Sequence, residues 1–458
     1  MIRTATAALM IFVALLFAVP ATAQSQQERL DARYDRALAA GYKALMLCGA
    51  IANAEANGVT RTPESVLQWE LTGIQAPLDA IVRNLDYEVL RHDNGTIERV
   101  SVMWDEQNEP RYAIHLDDDR GCALNPINGP FDFYGRPANL PSSRSRDDAP
   151  IVQAPNMLRS ALNAAFEGTY GEGARTTATI VHRGGQVIGE RYVQEFDPAT
   201  PQRTWSVAKS IAATLVGAAV HRGEADVNAS ADLGYTDGDP RRAITLDHLL
   251  RMTSGRYTDT PGNRTDPLYW GGATVTEAAL DWPLVAAPGS TYRYANNDTL
   301  AAVAAIKPTF TDHPPAAFFT KLGMTHTVAE TDWLGNFILS SQVWTTARDL
   351  AKFGQLYLND GKLPDGTRIL PEGWVQYVST PSGPQPEGAF GYGAGFWLMN
   401  KSDGVPLDTI AAMGNRGQYV VIVPSLDVVI VRRGEDPVGA SFDIAAFTRD
   451  VLAALETE

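Results

Sequence analysis

Two groups of strand-like runs bracket a long helical stretch in the later part of the chain, and nothing else in the sequence limits the fold so strongly. Thr176 to Val181 and Val187 to Val193 are apolar, β-branched runs joined by Arg183-Gly184-Gly185-Gln186, which predicts a β-hairpin. Far downstream, Gly393 to Met399, Gln418 to Val423 and Val428 to Arg432 read as strands again, and Phe442 to Leu455 as a closing helix. The intervening residues, 222 to about 360, are helical and turn-rich, with helical segments at Leu246 to Met252, Glu277 to Leu280 and Ala347 to Leu358. Strands at both ends of one region with helices between them predict an α/β (α+β) domain whose sheet is interrupted by an all-helical insert.

Upstream, Leu30, Tyr34, Leu38 and Tyr42 recur at fours within a helix expected from Gln27 to about Glu55. Arg99 to Trp104 and Arg111 to Leu116 alternate as half-buried strands around an Asn-Glu-Pro turn, so residues 24–150 form a small α+β region of their own. From Tyr134 to Pro155 the chain holds four prolines, a Ser-Ser-Arg-Ser-Arg run and Asp147-Asp148, and the boundary with the 156–458 domain is placed there. More than one core is required, because one core seldom grows beyond roughly 250–300 residues.

The first 23 residues read as a cleavable secretory leader: Arg3, an apolar stretch from Ala7 to Val19, then Ala21-Thr22-Ala23 in the small-x-small pattern a signal peptidase cuts. A periplasmic or secreted product follows, with no stable membrane insertion. In that oxidising setting Cys48 and Cys122, the only cysteines, are expected to form a disulfide, the alternative being two small core residues. In the chain-entropy picture such a closure stabilises the fold by roughly 4 kcal/mol. A net charge of −15 argues against nucleic acid as a partner, and a monomer is the default.

Chemistry enters at Ser206 and Lys209, in TWSVAKS, the chain's single Ser-x-x-Lys pair. Residues three apart share a helix face, so the Lys209 amine lies beside the Ser206 hydroxyl and can take its proton. By itself the match is weak, arising by chance on the order of once per few hundred residues. Its placement strengthens it: Pro201 and Trp205 precede the pair and a long apolar helix follows, so the hydroxyl sits where the helix dipole favours an alkoxide. Burial there favours the neutral, proton-accepting form of Lys209.

A proton must also reach the leaving group. Tyr294-Ala295-Asn296 supplies a phenol, expected to have a lowered pKa, and a carboxamide that can orient substrate and Lys209. The other Tyr-x-Asn, at Tyr357 and Asn359, reads as a helix terminus. Gly414-Asn415-Arg416-Gly417-Gln418, opening the strand YVVIVP, fits an edge that offers backbone N–H groups to an oxyanion; an ordinary turn is the alternative.

In this order the three motifs resemble those of the class C β-lactamase and penicillin-binding-protein superfamily. ITLDHLLRMTSG (Ile244 to Gly255), Pro288-Gly289, KLGMTHT (Lys321 to Thr327) and VWTTARDLAKFGQLYLNDG (Val343 to Gly361) match as well. GNRGQYVVIVPSLDVVIVRRG looks most similar to the branch containing 6-aminohexanoate-dimer hydrolase and related esterases. The resemblance runs from about residue 156 to 455. It implies a β-lactamase-like fold with an antiparallel sheet, Ser206 as acylated nucleophile, Lys209 as its base, Tyr294 as general acid/base and Asn296 as substrate-orienting amide. It further implies an oxyanion hole from the N–H groups of Ser206 and Asn415, and no cofactor or metal. One position departs: where many relatives carry Lys or His two residues before the strand glycine, this chain has Ala412. That cation meets the carboxylate of β-lactams and D-Ala-D-Ala peptides, so efficient turnover of either is less expected. Arg416 is a candidate substitute, against the reading of a solvated turn residue.

The expected activity is therefore cleavage of a small ester or amide through an acyl-enzyme. D-amino-acid peptidase or β-lactamase activity is the alternative, and a non-catalytic module holding cell-wall ligands is the rival from another class. No Gly-x-Ser-x-Gly elbow and no His-Glu-x-x-His occur. His248 reads as a packing or hydrogen-bonding residue and His182-Arg183-Gly184 as a turn. Trp205, Tyr269, Trp270, Trp333 and Trp344 are candidates for an apolar acyl pocket, and Asp332 and Asn336 for a loop facing it.

Overall fold

A computed structural model describes residues 25–129, 144, 146–258 and 267–457. The expected leader and much of the expected linker lie outside the described residues. In the N-terminal region a helix spans Gln26–Ala56, opened by a capping box in which Ser25 accepts from the Glu28 N–H and Glu28 accepts from the Ser25 N–H. It packs on a four-stranded antiparallel meander: β1 (Tyr87–Arg91), β2 (Ile97–Val102), β3 (Arg111–Asp117) and β4 (Gly121–Leu124). Cys48 on the helix is disulfide-bonded to Cys122 on β4, tying one to the other. By length and composition this helix could cross a bilayer, but 94% of its apolar window is buried inside the fold.

The larger sheet is antiparallel and seven-stranded. Its first hairpin is β5 (Thr176–Arg183) with β6 (Gln186–Tyr192), and a short β7 (Gln202–Arg203) pairs elsewhere, with β9 (Val343–Thr345), which also pairs β8 (Val328–Ala329). The C-terminal strands are β10 (Gly391–Tyr392), β11 (Trp397–Leu398), β12 (Ile410–Gly414), β13 (Gln418–Val423) and β14 (Val428–Gly434). The order β10-β11-β12-β13-β14-β5-β6 brings the earliest and latest strands together at β14 and β5, as the sequence pattern requires. One face is covered by the helices Val207–His221 and Ala347–Leu358, the other by Asn156–Ala164 and Ile444–Glu456. The hydrophobic runs of β13 and β14 are covered on both faces for that reason.

Two local readings are corrected. The expected strand Gly393 to Met399 is a tight hairpin, since Gly395 takes a left-handed φ of 80° and Gly393 N–H bonds back to the Phe396 carbonyl. The insert over 222–360 is mostly helix and turn, yet it also contributes β8 and β9, too short to show periodicity.

The N-terminal helix and meander do not close a core alone. Leu47, Ile51, Val100 and Leu124 share one buried cluster with Leu268, Tyr269, Trp270, Leu300, Ile338 and Trp344 from beyond residue 156. Buried polar contacts cross the same boundary. Glu330 accepts from the Cys122 N–H at 3.1 Å, and Arg111 donates to the carbonyls of Ala37 at 2.8 Å and Trp270 at 3.0 Å.

Candidate active site

Ser206 is the N-cap of the helix Val207–His221, and its side chain makes no capping bond, which leaves Oγ available to other partners. Trp205, just before it, is held at a left-handed φ of 50°, a conformation costly for a bulky residue. One turn into the helix, Lys209 is 2% exposed and its Nζ lies 3.0 Å from Ser206 Oγ. The amine also donates to the Ser340 carbonyl at 3.1 Å and to Asn296 Oδ1. Those two acceptors fix two N–H bonds, so in the neutral amine the lone pair is directed at the serine hydroxyl. Burial lowers the Lys209 pKa from 10.5 to about 7, so a substantial neutral fraction exists at neutral pH.

Asn296 is held in place by its helix, Asn296–Ile306, which it begins. The ITLDHLLRMTSG segment and the residue after it anchor that helix: Ser254 Oγ donates to Asp298 at 2.6 Å, and Arg256 donates to the Asn297 carbonyl at 2.6 Å and to Asp298 at 3.2 Å. His248 closes a capping box with Thr245, the hydrogen-bonding role expected of it. The Tyr294 ring centroid lies 5.1 Å from Lys209 Nζ, and its phenol feels the Ser206 hydroxyl beside it. The expected lowering of its pKa is overturned: burial beside Trp397 and Tyr392 outweighs the lowering influence of Ser206 and Trp397 and pushes it up to about 12. Tyr294 is therefore a neutral phenol at physiological pH, a proton donor at rest.

Gly414 ends β12 directly against the serine. A Cβ there would collide with the Thr204 carbonyl and sit 3.1 Å from the Ser206 nitrogen, so only glycine allows so close an approach. Gly414 and Asn415 both line a cavity of about 730 Å³ together with Ser206, Tyr294 and Asn296. Its walls are largely aromatic, from Trp205, Tyr269, Trp270, Phe390, Trp397 and Tyr419. Arg293 is the one charged residue among the described residues lining it.

Several sequence candidates lie elsewhere. Arg416 does not line the cavity; it is 5% exposed, bonded at 2.7 Å to Glu435, and neither a solvated turn residue nor a substrate cation. Trp344 is a core residue under the N-terminal helix. Trp333 packs on Tyr112, Ile114 and Leu116. Asp332 closes its own loop by accepting from the N–H groups of Val275, Leu334 and Asn336. Ala412 is fully buried, facing the helices and not the cavity. The sequence reading missed Gln75, Arg293, Ser341, Phe390, Trp397, Met413, Tyr419 and Val438. Arg293 had a signal, its place next to Tyr294; Gln75 had none. Among the described residues no cluster of three or more His, Cys, Asp or Glu side chains could hold a metal ion.

An antiparallel sheet, a helix opening on Ser-x-x-Lys, and a Tyr-x-Asn and strand glycine converging on that serine define the β-lactamase-like class of serine hydrolase. The chain belongs to the Beta-lactamase family, whose model matches residues 162–454. It is 24% identical over 301 residues to 6-aminohexanoate-dimer hydrolase of Paenarthrobacter ureafaciens, covering 57% of this chain and 73% of that protein. It is 27% identical over 295 residues to penicillin-binding protein 4 of Amycolatopsis lactamdurans, covering 55% and 76%. In fold it is similar to a Bacillus anthracis protein provisionally called a 6-aminohexanoate-dimer hydrolase, with a TM-score of 0.55, 21% identity and coverage of 67% of this chain and 87% of the other. These relationships make the protein a serine hydrolase of amides or esters.

Proposed function

We propose that this protein is an exported hydrolase that cleaves small esters or amides through an acyl-enzyme on Ser206. The observation that carries the reading is the Lys209 amine, stripped of solvent and fixed by two acceptors with Ser206 Oγ at 3.0 Å. Lys209 takes the Ser206 proton as Oγ attacks the carbonyl carbon, and the oxyanion forms against the N–H groups of Ser206 and Asn415. As the tetrahedral intermediate collapses, Tyr294 gives its phenolic proton to the departing alkoxide or amine and regains one from Lys209. Water then attacks the acyl group along the same path, releasing the acid and restoring Ser206. Asn296 orients both Lys209 and substrate.

The aromatic walls favour an apolar acyl or leaving group. Arg293 supports a second reading, a carboxylate-bearing amide of the D-peptide or β-lactam kind, because it brings a cation to a site that lacks one at Ala412. Export is supported by the apolar run from Ala7 to Val19 and by the disulfide. The domain limits 24–150 and 156–458, and action as a monomer, belong to the same proposal.

Intact-protein mass spectrometry after exposure to a p-nitrophenyl ester, a D-Ala-terminated amide and a cephalosporin tests it. An acyl adduct that disappears in Ser206→Ala is the expected result, and its size identifies the substrate class. Undiminished turnover in Ser206→Ala would sink the mechanism. Absence of adduct and turnover with all three, while folded protein retained muropeptides, would favour a binding module.

A further inference from the structure

The turn after β12 is built in an unusual way. Asn415, Arg416 and Gly417 form the three-residue loop between the paired residues Gly414 and Gln418, with φ of 56° at Arg416 and 79° at Gly417. A long side chain in the left-handed region is disfavoured unless its surroundings hold it. Here they do, and they come from the other end of the chain. Arg416 donates to the carbonyls of Trp69 at 2.8 Å, Thr72 at 2.9 Å and Gly73 at 3.2 Å, while its Nε bonds Glu435 at 2.7 Å. The Gly73 carbonyl also accepts from the Val438 N–H at 2.8 Å. Gln75, two residues on, lines the cavity itself.

Backbone carbonyls are acceptors that a planar, five-donor guanidinium satisfies and a lysine cannot match in number. On one side of Asn415, Gly414 presses against the Ser206 nitrogen; on the other, Arg416 is fastened to residues 69–73. Asn415 is thus held between a strand end and a residue fastened to the N-terminal region.

We propose that Arg416 is a positioning residue: by clamping the turn onto the carbonyls of Trp69, Thr72 and Gly73 it aligns the Asn415 N–H with the Ser206 N–H, making the N-terminal region a working part of the acyl-transfer site. This rests on the acyl-enzyme reading above. Its signature is a loss of transition-state stabilisation with little loss of ground-state binding, because an oxyanion donor acts on charge that develops only in the transition state.

Two variants reach the clamp from opposite sides. Arg416→Lys keeps the charge beside Glu435 but loses most of the carbonyl bonds. Gly73→Ala leaves Arg416 in place and strains its acceptors, since Gly73 has φ of 70° and a Cβ there would collide with Pro437. In p-nitrophenyl ester hydrolysis each is expected to lower kcat tenfold or more with KM within threefold of the parent. Affinity for phenylboronic acid should fall in parallel with kcat; this probe adds to Ser206 Oγ as a tetrahedral anion while the displaced proton passes to Lys209. In the unaltered protein, the same boronate should slow amide exchange at residues 69–75 as well as at 414–418. Cooperatively melting variants with kcat within twofold of the parent would overturn the clamp and leave the acyl-enzyme intact. So would boronate protection that stops short of residues 69–75, a result that needs no variant to fold. Parent turnover that survives Ser206→Ala would instead remove the acyl-enzyme reading, and the clamp's role with it.

Discussion

The N-terminal region and the β-lactamase region each bury a lysine, and the two differ in what surrounds the amine. Lys43, on the first helix, donates to the Leu85 carbonyl at 2.6 Å and lies 4.9 Å from the Tyr87 ring centroid; burial lowers its pKa to about 8. Lys209 is lowered further, to about 7, and has a hydroxyl within hydrogen-bonding distance on the same helix face. Desolvation makes either amine a better base than a surface lysine. Only Lys209 faces an oxygen that can become a nucleophile, with the phenol of Tyr294 lining the same cavity. A shifted pKa marks a catalytic group when geometry gives the proton somewhere to go.

Removing that oxygen should produce the largest effect. Ser206→Ala is expected to lower kcat by at least about 10⁴-fold and abolish the acyl adduct, measured by ester hydrolysis and intact mass. Lys209→Ala should cost about 10³-fold in kcat with little change in KM, whereas Lys43→Met should leave kcat within twofold. A comparable loss in both would break the contrast between the two lysines. Tyr294→Phe keeps the ring packing but removes the transferable proton, and about 10²-fold in kcat is the expected loss, greatest for amides with poor leaving groups.

The pH dependence sharpens the comparison further. On the proposed acyl-enzyme reading, which needs the base form of Lys209, kcat/KM should rise about tenfold per pH unit below its pKa of about 7 and level off above it. Lys43 should leave no step in that profile near 8. It belongs instead to stability: its folded pKa lies below the unfolded value of 10.5, so the unfolded chain holds more protons between about 8 and 10.5 and stability rises with pH through that window. A rate step that persists in Lys209→Ala would assign the titration to another group.

The parts of the site written as short spacings were readable from the chain. Ser206 and Lys209 share a helical face by their separation, Tyr294 and Asn296 flank a helix start, and Gly414 opens a strand. The remainder depends on approach between distant segments. Arg416 resembles a solvated turn residue because three of its acceptors are main-chain carbonyls more than three hundred positions away, which no side-chain pattern records. Trp333 and Trp344 have the composition of pocket residues but point into cores completed by the N-terminal region. The raised pKa of Tyr294 is hidden from the sequence for a related reason, since its packing against Trp397 and Tyr392 comes from a hairpin about a hundred residues downstream.

The shared core also fixes an order of events during synthesis. Residues 26–124 carry a complete helix, meander and cysteine pair, but their apolar cluster also needs Leu268, Tyr269, Trp270, Leu300, Ile338 and Trp344, the first of them 144 and the last 220 residues further along the chain. Helix and meander can form early, while their unfinished face stays wet and adhesive until the later chain arrives. In an oxidising compartment, the disulfide between Cys48 and Cys122 restrains that half-built surface until its partner residues pack on it.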